Sequence, residues 1–202
     1  MNYRKTAEDF FWKYQQHPDF IDVEKQTEYI VRHMKDGLAG KPSDLMMIPT
    51  YLSTEGIVEG KETAIVIDAG GTNFRIATVT FDNGEIEIGH FTKRKMFGVG
   101  TPIEKEQFID ELAKLICPLL KYSDKVGFCF SYAAEITPEK DGRVISMSKE
   151  VYINGIQGTL LGKEITARLK DMGVEKEVHF VLLNDTVSTL LEIGRASCRE
   201  RV

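Results

Sequence analysis

The run Ala64-Ile65-Val66-Ile67 leads without a break into Asp68-Ala69-Gly70-Gly71-Thr72-Asn73-Phe74-Arg75. This junction constrains the fold more than any other stretch of the chain. An apolar, β-branched run bounded by turn residues predicts a buried strand. Two glycines directly after an acidic residue predict a tight reversal. Glycine permits positive φ and removes the Cβ atom, so backbone N–H groups can approach phosphate oxygens closely. Thr72 and Asn73 add short hydrogen-bonding side chains, and Arg75 brings a positive charge on the returning strand. Asp68 is placed to hold Mg²⁺ through water, because Mg²⁺ keeps part of its hydration shell. A plain Gly-Gly hairpin with a solvent-facing Asp is the bland alternative, and the full octapeptide behind a buried strand argues against it.

The surrounding periodicity predicts the remaining elements. Residues 6–17 read as a helix with Phe10, Phe11 and Tyr14 on one side. Asp22 is placed to cap a second helix that Gly37 and Gly40 terminate. Residues 41–60, with Pro42, Pro49 and Gly56, read as an irregular crossing segment. Strands follow at 76–81 and 85–93, joined by the hairpin signal Asp82-Asn83-Gly84. A helix over 104–120, a strand over 126–131, a helix over 161–172 and a strand over 178–183 complete the pattern. The last strand runs straight into Asn184-Asp185-Thr186. Three consecutive strands, then helix, strand, helix and strand, predict an α/β fold with a mixed five-stranded sheet preceded by N-terminal helices. That order suits a ribonuclease H-like (actin-like ATPase) small domain.

Composition narrows the class by exclusion. About two-fifths of the 202 residues are apolar (42%), enough for a true core. The net charge of −5 comes with no dense basic cluster, which argues against a nucleic-acid groove. No apolar run approaches the roughly 20 residues of a membrane span. Cys117, Cys129 and Cys198 show neither metal spacing nor framework pairing, so a reduced, cytoplasmic setting is expected. Gly40-Lys41-Pro42-Ser43 resembles a P-loop only faintly, since Pro42 separates Lys from Ser. Asn184-Asp185-Thr186 matches a glycosylation sequon but follows no signal segment.

Taken together, these segments resemble the hexokinase and glucokinase family. The likeness begins around Met34-Lys35-Asp36-Gly37-Leu38 and runs through Ile48-Pro49-Thr50-Tyr51. The octapeptide Asp68 to Arg75 resembles the family's first phosphate motif. Gly127-Phe128-Cys129-Phe130-Ser131-Tyr132 is similar to its sugar-contacting strand, and Asn184-Asp185-Thr186 to the segment bearing its catalytic base. The family usually has Trp-Thr-Lys-Gly-Phe before its sugar loop, where this chain has Met147-Ser148-Lys149-Glu150-Val151. Ala133 stands where a Pro is usual.

The resemblance implies transfer of the γ-phosphoryl group of ATP to the primary hydroxyl of glucose or a related hexose, with Mg²⁺. It implies that Asp185 is the base and that Lys149 contacts both sugar and transferring phosphoryl. Ser131, Tyr132 through its backbone, Ser148, Asn184 and Asp185 are the implied sugar contacts. Asp68, Ala69, Gly70, Gly71, Thr72, Asn73 and Arg75 are the implied phosphate site. Each alone has a structural explanation: Asp185 as a helix cap, Lys149 as a surface lysine, Ser131 as a strand-end serine. Two other classes share parts of the pattern, a non-catalytic sugar sensor of the same fold and an actin- or chaperone-like ATPase. Retained Asp185 and Lys149 argue against the first. The set Ser131, Ser148-Lys149 and Asn184-Asp185 argues against the second.

Three divisions are expected: residues 1–48 as a helical segment that packs on a second, larger domain; residues 49–191 as the small domain; and residues 192–202 as a non-native tail. The tail, Glu192 to Val202, resembles no part of the family and looks like translated sequencing-adapter sequence. A full family member has a further domain with the adenosine pocket and more sugar-binding carboxylates, so the 202 residues alone are expected to be inactive. Phe10, Phe11 and Trp12 are expected to be exposed.

Overall fold

The computed structural model describes residues 3–45, 47–52, 60–148 and 150–191. The chain divides into two compact units, residues 1–48 and 49–202. The first holds α1 (Tyr3–Lys13), a short 3₁₀ turn (Pro18–Phe20) and α2 (Val23–Leu38). Asp22 caps α2 as its sequence position predicts: the carboxylate accepts the Lys25 N–H at 3.0 Å. Neither helix has a buried residue, and Phe10, Phe11 and Trp12 are 51%, 42% and 48% exposed. The helix expected over residues 6–17 starts and stops earlier, because the chain leaves helical geometry at Gln15, whose φ is +53°.

In the second unit the elements run β1 (Lys61–Ala69), β2 (Asn73–Asp82), β3 (Glu85–Lys95), β4 (Ile103–Glu104), α3 (Lys105–Ile116), β5 (Lys125–Phe130), β6 (Ala133–Ile136), β7 (Gly142–Ser146), β8 (Ile153–Asn154), α4 (Leu161–Asp171) and β9 (His179–Leu183). The main sheet has the order β3-β2-β1-β5-β9. β1 pairs antiparallel with β2, and β2 with β3; β1, β5 and β9 are parallel. This is the five-stranded mixed sheet the sequence order predicts. The β2–β3 turn has φ of +49° at Asn83 and +95° at Gly84, both left-handed as a type I′ hairpin requires. Pro118 ends α3 early: residues 117–119 tighten to a 3₁₀ turn.

β1 is wholly apolar over residues 64–67 yet only one face is sealed. Ile65, Ile67 and Ala69 are fully buried, whereas Val66 is 38% exposed. Phe128, Phe130, Phe74, Phe108, Leu112, Ile116, Leu161, Ile165 and Leu169 complete the core on that face, under α3 and α4. Each such side chain contributes roughly 1.5–3 kcal/mol through burial. The Asp110 carboxylate of α3 ties the two helices: it accepts from the Arg168 guanidinium of α4 and from Lys114, and these hydrogen bonds hold its carboxyl below the usual range, Lys114 contributing most.

The start of α4 is capped from outside its own sequence. Leu160 offers no side-chain cap. Instead the Asp141 carboxylate accepts the N–H groups of Gly162 at 2.7 Å and Lys163 at 2.9 Å, and that of its neighbour Gly142 at 2.7 Å. A Cβ at Gly162 would lie 2.9 Å from the Asp141 oxygen, so only glycine admits this approach. Among the described residues, no helix is long and apolar enough to cross a membrane.

Candidate functional site

Register brings the expected site residues to one edge of the sheet. The Cα pairing aligns Asp68 with Cys129, and Cys129 with Leu183. Two residues beyond each lie Gly70, Ser131 and Asp185. All three parallel strands therefore end together, and the polar residues emerge at their carboxyl ends, where open α/β sheets bind ligands. The Ser131 N–H extends the ladder by donating to the Ala69 carbonyl at 3.2 Å.

The β1–β2 reversal is closed on one side by the Gly70 N–H, which donates to the Asn73 carbonyl at 3.0 Å. Gly70 does not use the left-handed φ that its sequence context suggests; its value lies in the missing Cβ, which would sit 3.3 Å from the Asn73 oxygen. Its carbonyl accepts the Tyr132 hydroxyl at 2.7 Å. Tyr132 is 2% exposed, and burial, with the nearby Asp68 charge, pushes its phenol up to about 12. Asn73 Nδ2 donates to Thr72 Oγ1 at 3.0 Å, and the Met96 N–H to the Thr72 carbonyl at 2.9 Å. Arg75 pairs with Asp68 across the hairpin.

At the end of β9 the chain turns at once into helix, with residues 185–191 helical. The cap is Asn184, and not Asp185 as its bland sequence explanation has it. Asn184 Oδ1 accepts the Thr186 N–H at 3.0 Å and its hydroxyl at 2.6 Å, while Nδ2 reaches back to the Phe130 carbonyl at 3.3 Å. Asn184 thereby ties the end of β9 to the end of β5. Asp185 is half-buried on the first turn, and its Oδ1 accepts the Thr186 N–H at 2.8 Å.

Ser148 lies exposed after β7, in a loop lining a cavity of about 480 Å³ with Tyr152, Asn154 and Gln157. Lys149 lies outside the described residues, as does the tail 192–202. Glu150 has φ of +61°, so it adopts the left-handed conformation that glycine favours, at the position where the resembling family carries glycine. The loop is anchored by the Tyr152 N–H donating to the Gly98 carbonyl at 3.0 Å and by Asn154 Nδ2 donating to Glu104 at 2.7 Å.

Mg²⁺ fits the donor set in one particular way. Among the described residues there is no group of three or more His, Cys, Asp or Glu able to hold a metal. Asp68 is a single carboxylate beside the glycine hairpin. That suits a cation held by one carboxylate, water and substrate phosphates, and not by a protein cage.

A mixed sheet of this order, with a glycine hairpin and polar strand ends at one end of the parallel strands, defines an α/β fold of the ribonuclease H-like, actin-like type. The sequence model of the hexokinase family matches residues 15–194. The chain is 28% identical over 187 residues to hexokinase-1 of Schizosaccharomyces pombe, covering 87% of this chain and 38% of that protein. It is 31% identical over 195 residues to glucokinase-1 of Kluyveromyces lactis, covering 84% and 39%. A solved hexokinase from Schistosoma mansoni in complex with glucose superposes with a TM-score of 0.60 at 18% identity, over 85% of this chain and 41% of that one. The chain belongs to the hexokinase family. It spans about two-fifths of the length of these curated relatives.

Proposed function

We propose that this chain is the amino-terminal part of an ATP-dependent hexose kinase, which moves the γ-phosphoryl group of ATP to the primary hydroxyl of a glucose-type sugar. The observation that supports the proposal is the shared register of Gly70, Ser131 and Asp185, which puts the glycine hairpin and a carboxylate at the same end of the parallel strands. Phosphoryl transfer needs little covalent help from the protein; it needs positioning and charge stabilisation.

In this reading Asp185 accepts the proton of the attacking hydroxyl. Asn184, held by Phe130 and Thr186, orients a sugar hydroxyl with its remaining amide hydrogen. Ser131, the Tyr132 backbone and Ser148 bind further hydroxyls. Lys149 offsets charge on the transferring group. The Gly70–Asn73 hairpin, with Ala69 and Arg75, holds phosphate oxygens, and Asp68 orients Mg²⁺ through water. Mg²⁺ held there would neutralise phosphate charge.

The likeness to the family supports the remaining readings. Residues 1–48, with Phe10, Phe11 and Trp12 exposed, supply a face for the larger domain, and residues 49–191 form the small domain. The tail 192–202 takes no part. The adenosine pocket belongs to the length of the relatives that this chain does not span, so the 202 residues alone turn over no ATP. The reaction is set in the cytoplasm.

The test is Asp185→Ala in an enzyme carrying this sequence within the relatives' full length. Turnover in a coupled phosphorylation assay should fall by several orders of magnitude while the thermal midpoint holds. Near-normal turnover removes Asp185 as the base.

A further inference from the structure

The Tyr132 hydroxyl reaches across from the end of β5 to the middle of the β1–β2 reversal, where it donates to the Gly70 carbonyl at 2.7 Å. In a narrow hairpin pair the two opposed residues exchange both backbone bonds. Here only one is made between backbone groups, from the Gly70 N–H to the Asn73 carbonyl at 3.0 Å. The Gly70 carbonyl is given to a side chain 62 residues away in sequence.

The consequence lies in the peptide plane. In a trans peptide the carbonyl of one residue and the N–H of the next point in opposite directions, and the chain has no cis peptide bond among its described residues. Pinning the Gly70 carbonyl toward Tyr132 therefore aims the Gly71 N–H away from it. Among the described residues the Gly71 and Thr72 N–H groups have no acceptor. A Gly-Gly peptide is the easiest of all to rotate, since no Cβ on either side resists it. Some contact must hold the plane if its N–H is to meet a phosphate reproducibly. Tyr132 can hold it, being 2% exposed and packed against Phe130 with ring centroids 5.0 Å apart.

We infer that Tyr132 is a positioning residue that locks the Gly70–Gly71 peptide with its N–H facing the phosphate. The inference rests on the hairpin being the phosphate site of the proposed kinase. It also couples the two half-sites, because the same strand end carries Ser131 on the sugar side. A shift of the Ser131-Tyr132 segment on sugar binding would reach the hairpin through the Tyr132 hydroxyl bond to Gly70 and the Ser131 N–H bond to Ala69.

The experiment uses ¹⁵N,¹³C-labelled chain, Mg²⁺-tripolyphosphate as probe, and the variant Tyr132→Phe, which removes only the hydroxyl. Wild type should show a saturable shift of the Gly71 amide resonance. Tyr132→Phe should raise the dissociation constant about fivefold, the size of one lost hydrogen bond. It should also move the ligand-free Gly70 carbonyl and Gly71 amide resonances, with the thermal midpoint little changed. An unchanged dissociation constant in a folded variant overturns the inference. If wild type shows no hairpin response to the probe, the phosphate-site reading fails and takes this inference with it; the ligand-free Gly70 carbonyl shift still shows whether the hydrogen bond exists. Should Tyr132→Phe not fold, the Tyr132 hydroxyl proton in wild type decides: slow exchange with a cross-peak to Gly70 supports the lock, and exchange as fast as a free phenol refutes it.

Discussion

Arg75 and Asp68 are register partners across the β1–β2 hairpin, and the guanidinium donates to the Asp68 carboxylate beside the glycine turn. Both side chains are more than a third exposed, so the pair is worth less than about 1 kcal/mol to stability. In the proposed kinase its value would lie in setting the carboxylate for a hydrated cation. Arg75→Met should therefore leave the thermal midpoint nearly unchanged. Affinity for Mg²⁺-tripolyphosphate should drop about tenfold, the scale of one charge-assisted hydrogen bond. Calorimetry on the variant checks both, and a large midpoint shift with intact binding would assign the pair to stability instead.

Asp141 is a second long-range contact with a measurable weight. It satisfies three backbone N–H groups, two of them on the open first turn of α4. Asp141→Ala should cost about 1–2 kcal/mol in urea unfolding, and Asp141→Asn less, because an amide oxygen can still accept. Equal stability of wild type and the alanine variant would show that water replaces the cap without loss.

Glu150 occupies a left-handed conformation with φ of +61°. For a residue with a Cβ this costs about 1–2 kcal/mol, and glycine offsets part of the relief through its larger unfolded-state entropy. Glu150→Gly should raise stability by up to about 1 kcal/mol. A destabilised variant in the same urea assay would mean that the carboxylate makes a contact worth more than the strain.

Tyr132 also predicts a response to alkali. Its phenol is raised to about 12 from 10.0, first by burial and then by the Asp68 charge. Below pH 10 the phenol is neutral in both folded and unfolded chain, and its contribution is complete. Between about pH 10 and 12 the unfolded chain gives up the proton and the folded chain keeps it, so stability falls as pH rises. Phenolate absorbance of the folded chain should show a late step that Tyr132→Phe abolishes. A titration finished near pH 10 would count against the burial of the phenol.

Much of the fold was legible because its determinants are local. The Asp68-Ala69-Gly70-Gly71 reversal, the Asp82-Asn83-Gly84 turn and the Asp22 cap each depend on residues a few positions apart and form where the sequence predicts, although Gly70 does not take a left-handed φ. The short strands β4, β6, β7 and β8 were not legible. They span two to five residues with no sustained alternation; β4 and β8 are strands only through pairing with each other across the chain, and β6 and β7 form a short local hairpin.

The candidate site divides along the same line. Sequence by itself determined which residue types are present: a carboxylate and two glycines after an apolar run, a serine after another, Asn-Asp-Thr after a third. Only the tertiary structure decided that Gly70, Ser131 and Asp185 share one edge, since parallel register joins strands about sixty residues apart. It also decided that Asn184 reaches back to the Phe130 carbonyl, and that a buried tyrosine holds the Gly70 carbonyl. Hydrogen bonds between groups distant in the chain leave no periodic trace in it. The glycine hairpin was visible from its own eight residues, but the orientation of its central peptide is set by Tyr132, which the hairpin's own sequence does not contain.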